Sequence, residues 1–273
     1  MKPHALAFVP LLAAACSVET GRGEVGIYRA PESVGVGGAP SAPEPDAPLF
    51  FLPLRLRDFK KYDASDAATN PAFGNGDSEG HVVEAVLGPD QKPVYRAPDD
   101  ATPPTFGKEY FDQWYRDVPG TNLAVVFPLP LALDDQGFFA YDSQKTGAEE
   151  IDQGAVRRVF FPLDDGSEYQ TPFGNQGAKH NYGFTGELHA TFTAAAGQTL
   201  ELRSDDDLYA FIDDSLVVDL GGTHVALPAS VALDDLGFTP GEQHSLHVFY
   251  AERKGGNAVL ALRSNFALAP MLP

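Results

Sequence analysis

The chain has 273 residues, with 38 acidic against 19 basic side chains, so its formal charge is 19 − 38 = −19. A hydrophobic fraction of 43% supplies a real core, and the length suits one large all-β domain. The acidity excludes a nucleic-acid backbone as partner, which needs a basic face to displace counterions, and adsorption to anionic membrane through protein charge alone; the single cysteine excludes an internal disulfide and a thiolate zinc cluster.

Lys2 precedes an apolar run over residues 5–15 that ends in Ala13-Ala14-Ala15. It has the length of a signal-peptide core and falls short of the roughly 20 residues that span a bilayer. Residues 1–15 therefore read as a signal peptide. The only cysteine, Cys16, follows directly, and the segment resembles a bacterial lipoprotein lipobox, in which that cysteine is acylated. The pattern prefers Leu three residues before the cysteine, where Ala13 stands here, so a lipoprotein and a plainly secreted protein both remain open. Lipidation of Cys16 would give an outer-membrane or cell-surface lipoprotein, with the lipid supplying the membrane attachment that the acidic body cannot. Residues 16–48 are rich in Gly, Pro and Ala and read as a tether, since they bury too little apolar area to offset their ordering entropy.

The body, residues 49–270, is dominated by period-2 alternation. Positions 50, 52, 54 and 56 are apolar while Arg55 and Arg57 are charged, the pattern of a half-buried strand, and Pro53 places that strand at a sheet edge. One helix is expected over 108–118, with Phe111, Trp114, Tyr115 and Val118 on one core-facing stripe and Pro119-Gly120 as its stop. Residues 187–192 alternate again, Gly197-Gln198 turns the chain, and 199–203 follow as a strand. Residues 208–212 and 215–220 flank an Asp213-Asp214 turn and read as a hairpin; 245–252 and 258–263, separated by residues 253–257, read as a second. The fold class is all-β, an antiparallel β-sandwich or barrel with one short helix and long loops.

The order of segments resembles the fibro-slime domain. The resemblance rests on residues 111–120 (FDQWYRDVPG), 160–164 (FFPLD), 184–189 (FTGELH), 204–212 (SDDDLYAFI), 216–224 (LVVDLGGTH), 249–253 (FYAER) and 264–266 (SNF). That domain is similar to the sugar-binding β-sandwich of the anthrax protective antigen and the yeast flocculin adhesins. The resemblance implies an extracellular binder of a polysaccharide or glycan on matrix or cell surface. In the calcium-dependent adhesins two adjacent aspartates joined by a cis peptide hold Ca2+ that also meets sugar hydroxyls, and Asp205 and Asp206 occupy those positions here. The same resemblance makes Asn257, in a late loop, a further oxygen ligand; Asp207, where relatives often have Gly, reads as a ligand-binding residue, a cap or a solvated side chain, and His224 lies in a loop near the aspartates. Asp213-Asp214, where relatives often have Asn-Gly, and Lys254-Gly255-Gly256, where they are often rich in Thr and Ser, depart from the pattern.

The physical requirement is plain. Successive residues of a regular strand point to opposite faces, so adjacent carboxylates share one ion only where the strand geometry is broken; a hard cation taking 6–8 oxygens suits such a pair. The competing reading of residues 205–207 is an acidic loop that caps the next strand and faces water. Glu252-Arg253 reads as a structural ion pair or a strand-end hydrogen-bond pair, His224 as a loop brace or ligand neighbour, and Asp219 as a further brace of that loop. The chain offers no H-E-x-x-H and no phosphate-cradling Gly loop, so a non-catalytic module is expected. A structural surface protein with a degenerate site and a polysaccharide hydrolase stay as alternatives.

Overall fold

The computed structural model describes residues 49–75, 80–96, 105–152 and 154–271. The expected signal peptide, the lipidation site Cys16 and the tether up to residue 48 lie outside the described residues. Among the described residues three short helices are seen, α1 (Ala72–Asn75), α2 (Lys108–Phe111) and α3 (Ser143–Thr146), with one 3-10 turn over Leu233–Leu236; the remaining regular structure is strand. The first strands are β1 (Leu49–Phe59), β2 (Asn122–Leu133), β3 (Phe139–Asp142), the separate hairpin β4 (Ala148–Asp152) and β5 (Ala155–Val159), and β6 (Phe184–Thr193). There follow β7 (Thr199–Asp205), β8 (Asp207–Ile212), β9 (Ser215–Leu220), β10 (Leu227–Ala232), β11 (Gln243–Glu252), β12 (Val259–Ser264) and β13 (Ala269–Pro270).

Eleven strands form one nearly closed antiparallel barrel in the order β10-β7-β12-β3-β2-β1-β6-β11-β8-β9, with β13 added on β6. The all-β class follows from the alternation, and the alternation also divides two cores. On β11, Leu246, Val248 and Tyr250 point into the barrel, while Phe249 and Ala251 point outward. On β8, Leu208, Ala210 and Ile212 face inward, and Tyr209 and Phe211 outward. The outer face is covered by Phe73, Val82, Val83, Phe111, Trp114 and Tyr115, so β8 is buried on both sides and reads as an unbroken apolar run.

Local expectations meet the structure unevenly. The Asp213-Asp214 turn joins β8 and β9 with Ile212 opposite Ser215, and both aspartates have positive φ, 46° and 65°, as a tight two-residue hairpin turn requires. β1 is not an edge strand: it lies between β2 and β6. Pro53 is accommodated because the β1–β6 ladder begins only at Leu54, so a missing N–H on that side loses no bond. The helix expected over 108–118 is confined to α2; beyond it the backbone closes turns of i→i+3 type, Gln113 N to Tyr110 O (3.2 Å) and Trp114 N to Phe111 O (2.9 Å). The aromatic stripe is nonetheless core, with Phe111, Trp114 and Tyr115 all buried. The second hairpin is not formed. β11 pairs with β6 and β8, whereas β12 pairs with β3 and β7, so residues 253–258 cross from one half of the barrel to the other.

Asp58 on β1 ties the long 160–183 segment to the barrel, accepting from Asn181 Nδ2 (2.8 Å) and from the Thr171 hydroxyl. Burial raises its pKa to about 6, against the lowering by these two bonds. A raised carboxyl favours folding below its unfolded pKa near 3.8, and that contribution is lost as pH rises through about 6. Asp58→Asn is therefore expected to stabilise the protein at pH 8 by about 2–3 kcal/mol and to change little at pH 4, read from thermal melts at the two pH values. A variant less stable than wild type at pH 8 would refute this.

Candidate functional site

Two chain crossings meet at one end of the barrel. β7 leaves its half at Asp205 and the chain re-enters the other half as β8 at Asp207; residues 253–258 make the reverse crossing. Register holds the two together, with Asp205 opposite Val259 and Asp207 opposite Ala251. The Asp205–Asp206 peptide is cis. One carboxylate oxygen each from Asp205, Asp206 and Glu252 lie within 4.8 Å of one another, and all three residues are buried.

Asp206 is held by three backbone amides. Its Oδ1 accepts from His224 N (3.1 Å), and its Oδ2 from Arg253 N (3.1 Å) and Lys254 N (3.2 Å). Burial, then the charge of Asp207, still push its pKa up to about 6. Asp205 rises to about 7 through burial and the charge of Asp206. Glu252 ends β11, on the inward register of Val248 and Tyr250. The Tyr250 hydroxyl bonds Asp205 O (2.7 Å) and Glu252 Oε2 (3.3 Å), while Glu252 Oε1 has no hydrogen-bond partner. Burial first, then the charges of Asp206 and Asp205, raise the Glu252 carboxyl well above the usual range. Among the described residues no cationic side chain forms an ion pair with any of these three carboxylates; the Arg253 charge offsets Asp206 only in part, and the cluster keeps an excess of negative charge, the situation that a bound cation relieves.

The neighbouring residues do other work. Asp207, expected beside the ligand, is fully buried and saturated: its oxygens accept from Arg253 Nε (2.6 Å) and Nη2 (3.2 Å), Tyr209 Oη (2.9 Å) and Gly222 N (2.6 Å). The residue that donates this last bond must be glycine-like, since Gly222 has φ of 108°. Arg253 thus pairs with Asp207 and not with Glu252, which corrects the expected Glu252-Arg253 pair. His224 contributes its backbone N–H to Asp206, while its ring nitrogens face the carbonyls of Val225 and Leu220, both at 3.0 Å. It braces the loop, and neither ring nitrogen is left for a ligand. Asp219 braces the same loop through Gly221 N (3.0 Å). Asn257 Oδ1 accepts from Arg157 Nη1 (3.0 Å), and the side chain that the fold brings beside the two aspartates is Glu252. The signal for Glu252 was its phase: a carboxylate two residues after Tyr250 on an inward-facing register.

No protein-family model matches the chain. Among curated proteins it is 32% identical over 204 residues to protein psiR of Dictyostelium discoideum, a match covering 72% of this chain and 20% of psiR. It is 31% identical over 215 residues to protein psiD of the same organism, covering 75% and 40%. The chain thus spans less than half the length of these relatives. Among solved structures it is similar to a PA14 sugar-binding domain from an RTX adhesin, with TM-score 0.24, 16% identity, and coverage of 34% of this chain and 57% of that one. The PA14 domain of the antifreeze protein MpAFP aligns with TM-score 0.29 and 9% identity, over 85% and 88%. The chain is therefore similar in sequence to the Dictyostelium psi proteins, and the structures it resembles include PA14 domains.

Proposed function

We propose that this protein is an exported glycan-binding module in which Asp205, Asp206 and Glu252 hold a calcium ion whose remaining positions take sugar hydroxyls. The observation that carries the reading is the third carboxylate. Three buried acids sit within 4.8 Å of one another, and one keeps an oxygen without a partner. Such a set is costly to leave charged and suits a hard cation bound through oxygen; with no imidazole or thiolate in it, it suits calcium or magnesium better than zinc or copper. The glycan is inferred from the residue resemblance to the fibro-slime pattern, which also suggests display on matrix or cell surface. An acyl chain on Cys16 would fix many copies on one membrane, and weak single sites would then act through avidity.

The cluster supports binding over hydrolysis. Retaining glycosidases keep two carboxyl groups about 5–5.5 Å apart and inverting ones about 6.5–9.5 Å, flanking the scissile bond. Here three carboxylates, all buried, turn an oxygen each toward one point, the arrangement of a cation site and not of a pair set on two sides of a sugar.

Calorimetric titration of the chelator-treated protein with calcium chloride tests the reading. One saturable site is expected, lost in Asp206→Ala, with glycan-array binding that appears with calcium and disappears with chelator. Flat calcium titration of the folded protein overturns it.

A further inference from the structure

A second concavity lies against the loop that holds Asp206. It has a volume of about 180 Å³ and is bounded by Lys60, Lys61, Phe73, Tyr182 and Gly255, with Arg253 in its wall. That is below the roughly 300–1,000 Å³ of sites for drug-sized ligands and suits a single sugar ring. Gly255 packs on the Tyr182 ring, a Cβ there lying 3.8 Å from its nearest ring carbon, so the loop whose amides bind Asp206 also forms this wall.

The charge of the lining is unlike the rest of the protein. The chain has twice as many acidic as basic residues, yet the lining holds two lysines and an arginine and, among the described residues, no carboxylate. The amides of the wall are already spent. Gln176 donates to Phe59 O (2.8 Å) and accepts from Lys61 N; Asn181 donates to Asp58 (2.8 Å) and accepts from Gly183 N (3.1 Å). His180 has both ring nitrogens on carboxylates, Asp164 (2.6 Å) and Glu150 (2.9 Å). Arg253 is committed to Asp207. The two ammonium groups are different. Lys60 Nζ is 3.4 Å from Asp66 and Lys61 Nζ is 3.5 Å from Gln176 O, so each of these three-donor groups keeps capacity for a ligand.

From this we infer that the cavity is a subsite for an acidic sugar, a uronic acid residue whose ring lies against Tyr182 and Phe73 and whose carboxylate meets Lys60 and Lys61. The inference rests on the glycan reading above and sharpens it: the ligand is an acidic polysaccharide, with one residue at the acid cluster and its neighbour in the cavity across the Arg253–Gly255 loop.

Cellobiose and cellobiouronic acid, which differ by one carboxylate, provide the test by calorimetry in calcium. The acidic disaccharide is expected to bind about five- to tenfold more tightly, the scale of one charge-assisted hydrogen bond at a part-exposed site. The preference should shrink at high salt and vanish in Lys60→Gln/Lys61→Gln, a pair of substitutions at a half-buried and an exposed position whose melting temperature is checked alongside. Equal affinity for the two sugars, or a preference that survives the double substitution, overturns the inference and leaves the glycan reading standing. Competition by sodium acetate as strong as by the acidic sugar also overturns it, reducing the cavity to a small-anion site. Failure of both disaccharides together with a flat glycan array sinks the glycan reading as well.

Discussion

Arg253→Met is expected to cost the fold about 3–5 kcal/mol, the largest loss from any single substitution at this end of the barrel. Arg253 and Asp207 are both fully buried, and the guanidinium meets the carboxylate through Nε at 2.6 Å and Nη2 at 3.2 Å. It also lies 4.9 Å from the centre of the Trp114 ring, bridging the barrel wall to its outer cover. Methionine keeps much of the volume but strands the Asp207 charge in the interior, and an uncompensated buried charge is what makes breaking such pairs expensive. Removing both partners cancels the charge term, because the pair itself contributes little beyond its own desolvation. Asp207→Leu/Arg253→Met removes the stranded charge but leaves the buried Tyr209 hydroxyl and Gly222 N–H without their acceptor, so it is expected to lose less than the sum of the two single variants, giving a strong coupling in the double-mutant cycle. Urea denaturation followed by circular dichroism measures all four proteins. A single-variant loss under about 1 kcal/mol, or additive effects, would show that the pair is not what joins the two crossings.

How far the sequence carries is clear from these same residues. Period-2 alternation is a local signal, and it names the all-β class correctly, because each residue's phase is set by its own strand; β8, apolar on both faces, carries no such phase. The Asp213-Asp214 hairpin is also local, two residues wide, and legible. What fails is pairing at a distance. Lys254-Gly255-Gly256-Asn257 has the chemistry of a hairpin turn, yet the strands on either side bond to different halves of the barrel. Nothing within residues 245–263 records that β12 must lie beside β7. Pro53 misleads for the opposite reason: a rule about missing donors says nothing until the length of the neighbouring ladder is known, and the β1–β6 ladder ends one residue short of it, at Leu54. The acid cluster divides in the same way. Asp205 and Asp206 are adjacent and readable from the motif, whereas Glu252 arrives from 46 positions further along the chain, and only the two crossings bring it there. Its neighbour in sequence, Arg253, looks like its natural partner. The structure gives that arginine to Asp207 and leaves the glutamate facing two aspartates.

That division of roles gives Glu252→Gln two effects of opposite sign. In the calcium-free protein the substitution is expected to raise the melting temperature by about 2–6 °C at pH 8, on the scale of 1–2 kcal/mol for a domain of this size. Glu252 is wholly buried, its Oε1 lacks a partner, and burial together with Asp206 and Asp205 opposes its ionisation. The amide is nearly the same shape, carries no charge, and brings two N–H donors to a site crowded with acceptors. Tyr250 keeps an oxygen to bond, so the inward end of β11 is retained. With calcium present the sign reverses. An amide oxygen is a poorer partner for a dication than a carboxylate, and the positions that remain, Asp205 and Asp206, supply two charges in place of three. Calcium affinity should fall at least about tenfold, and the gain in melting temperature that saturating calcium gives to wild type should shrink in proportion to the logarithm of that loss. A purely structural glutamate would move both readings the same way: the variant would melt lower with or without the ion. Thermal melts and calorimetry on the two proteins, each with chelator and with calcium, separate the cases, and a variant destabilised without calcium, or one that binds calcium as wild type does, removes Glu252 from the cation site.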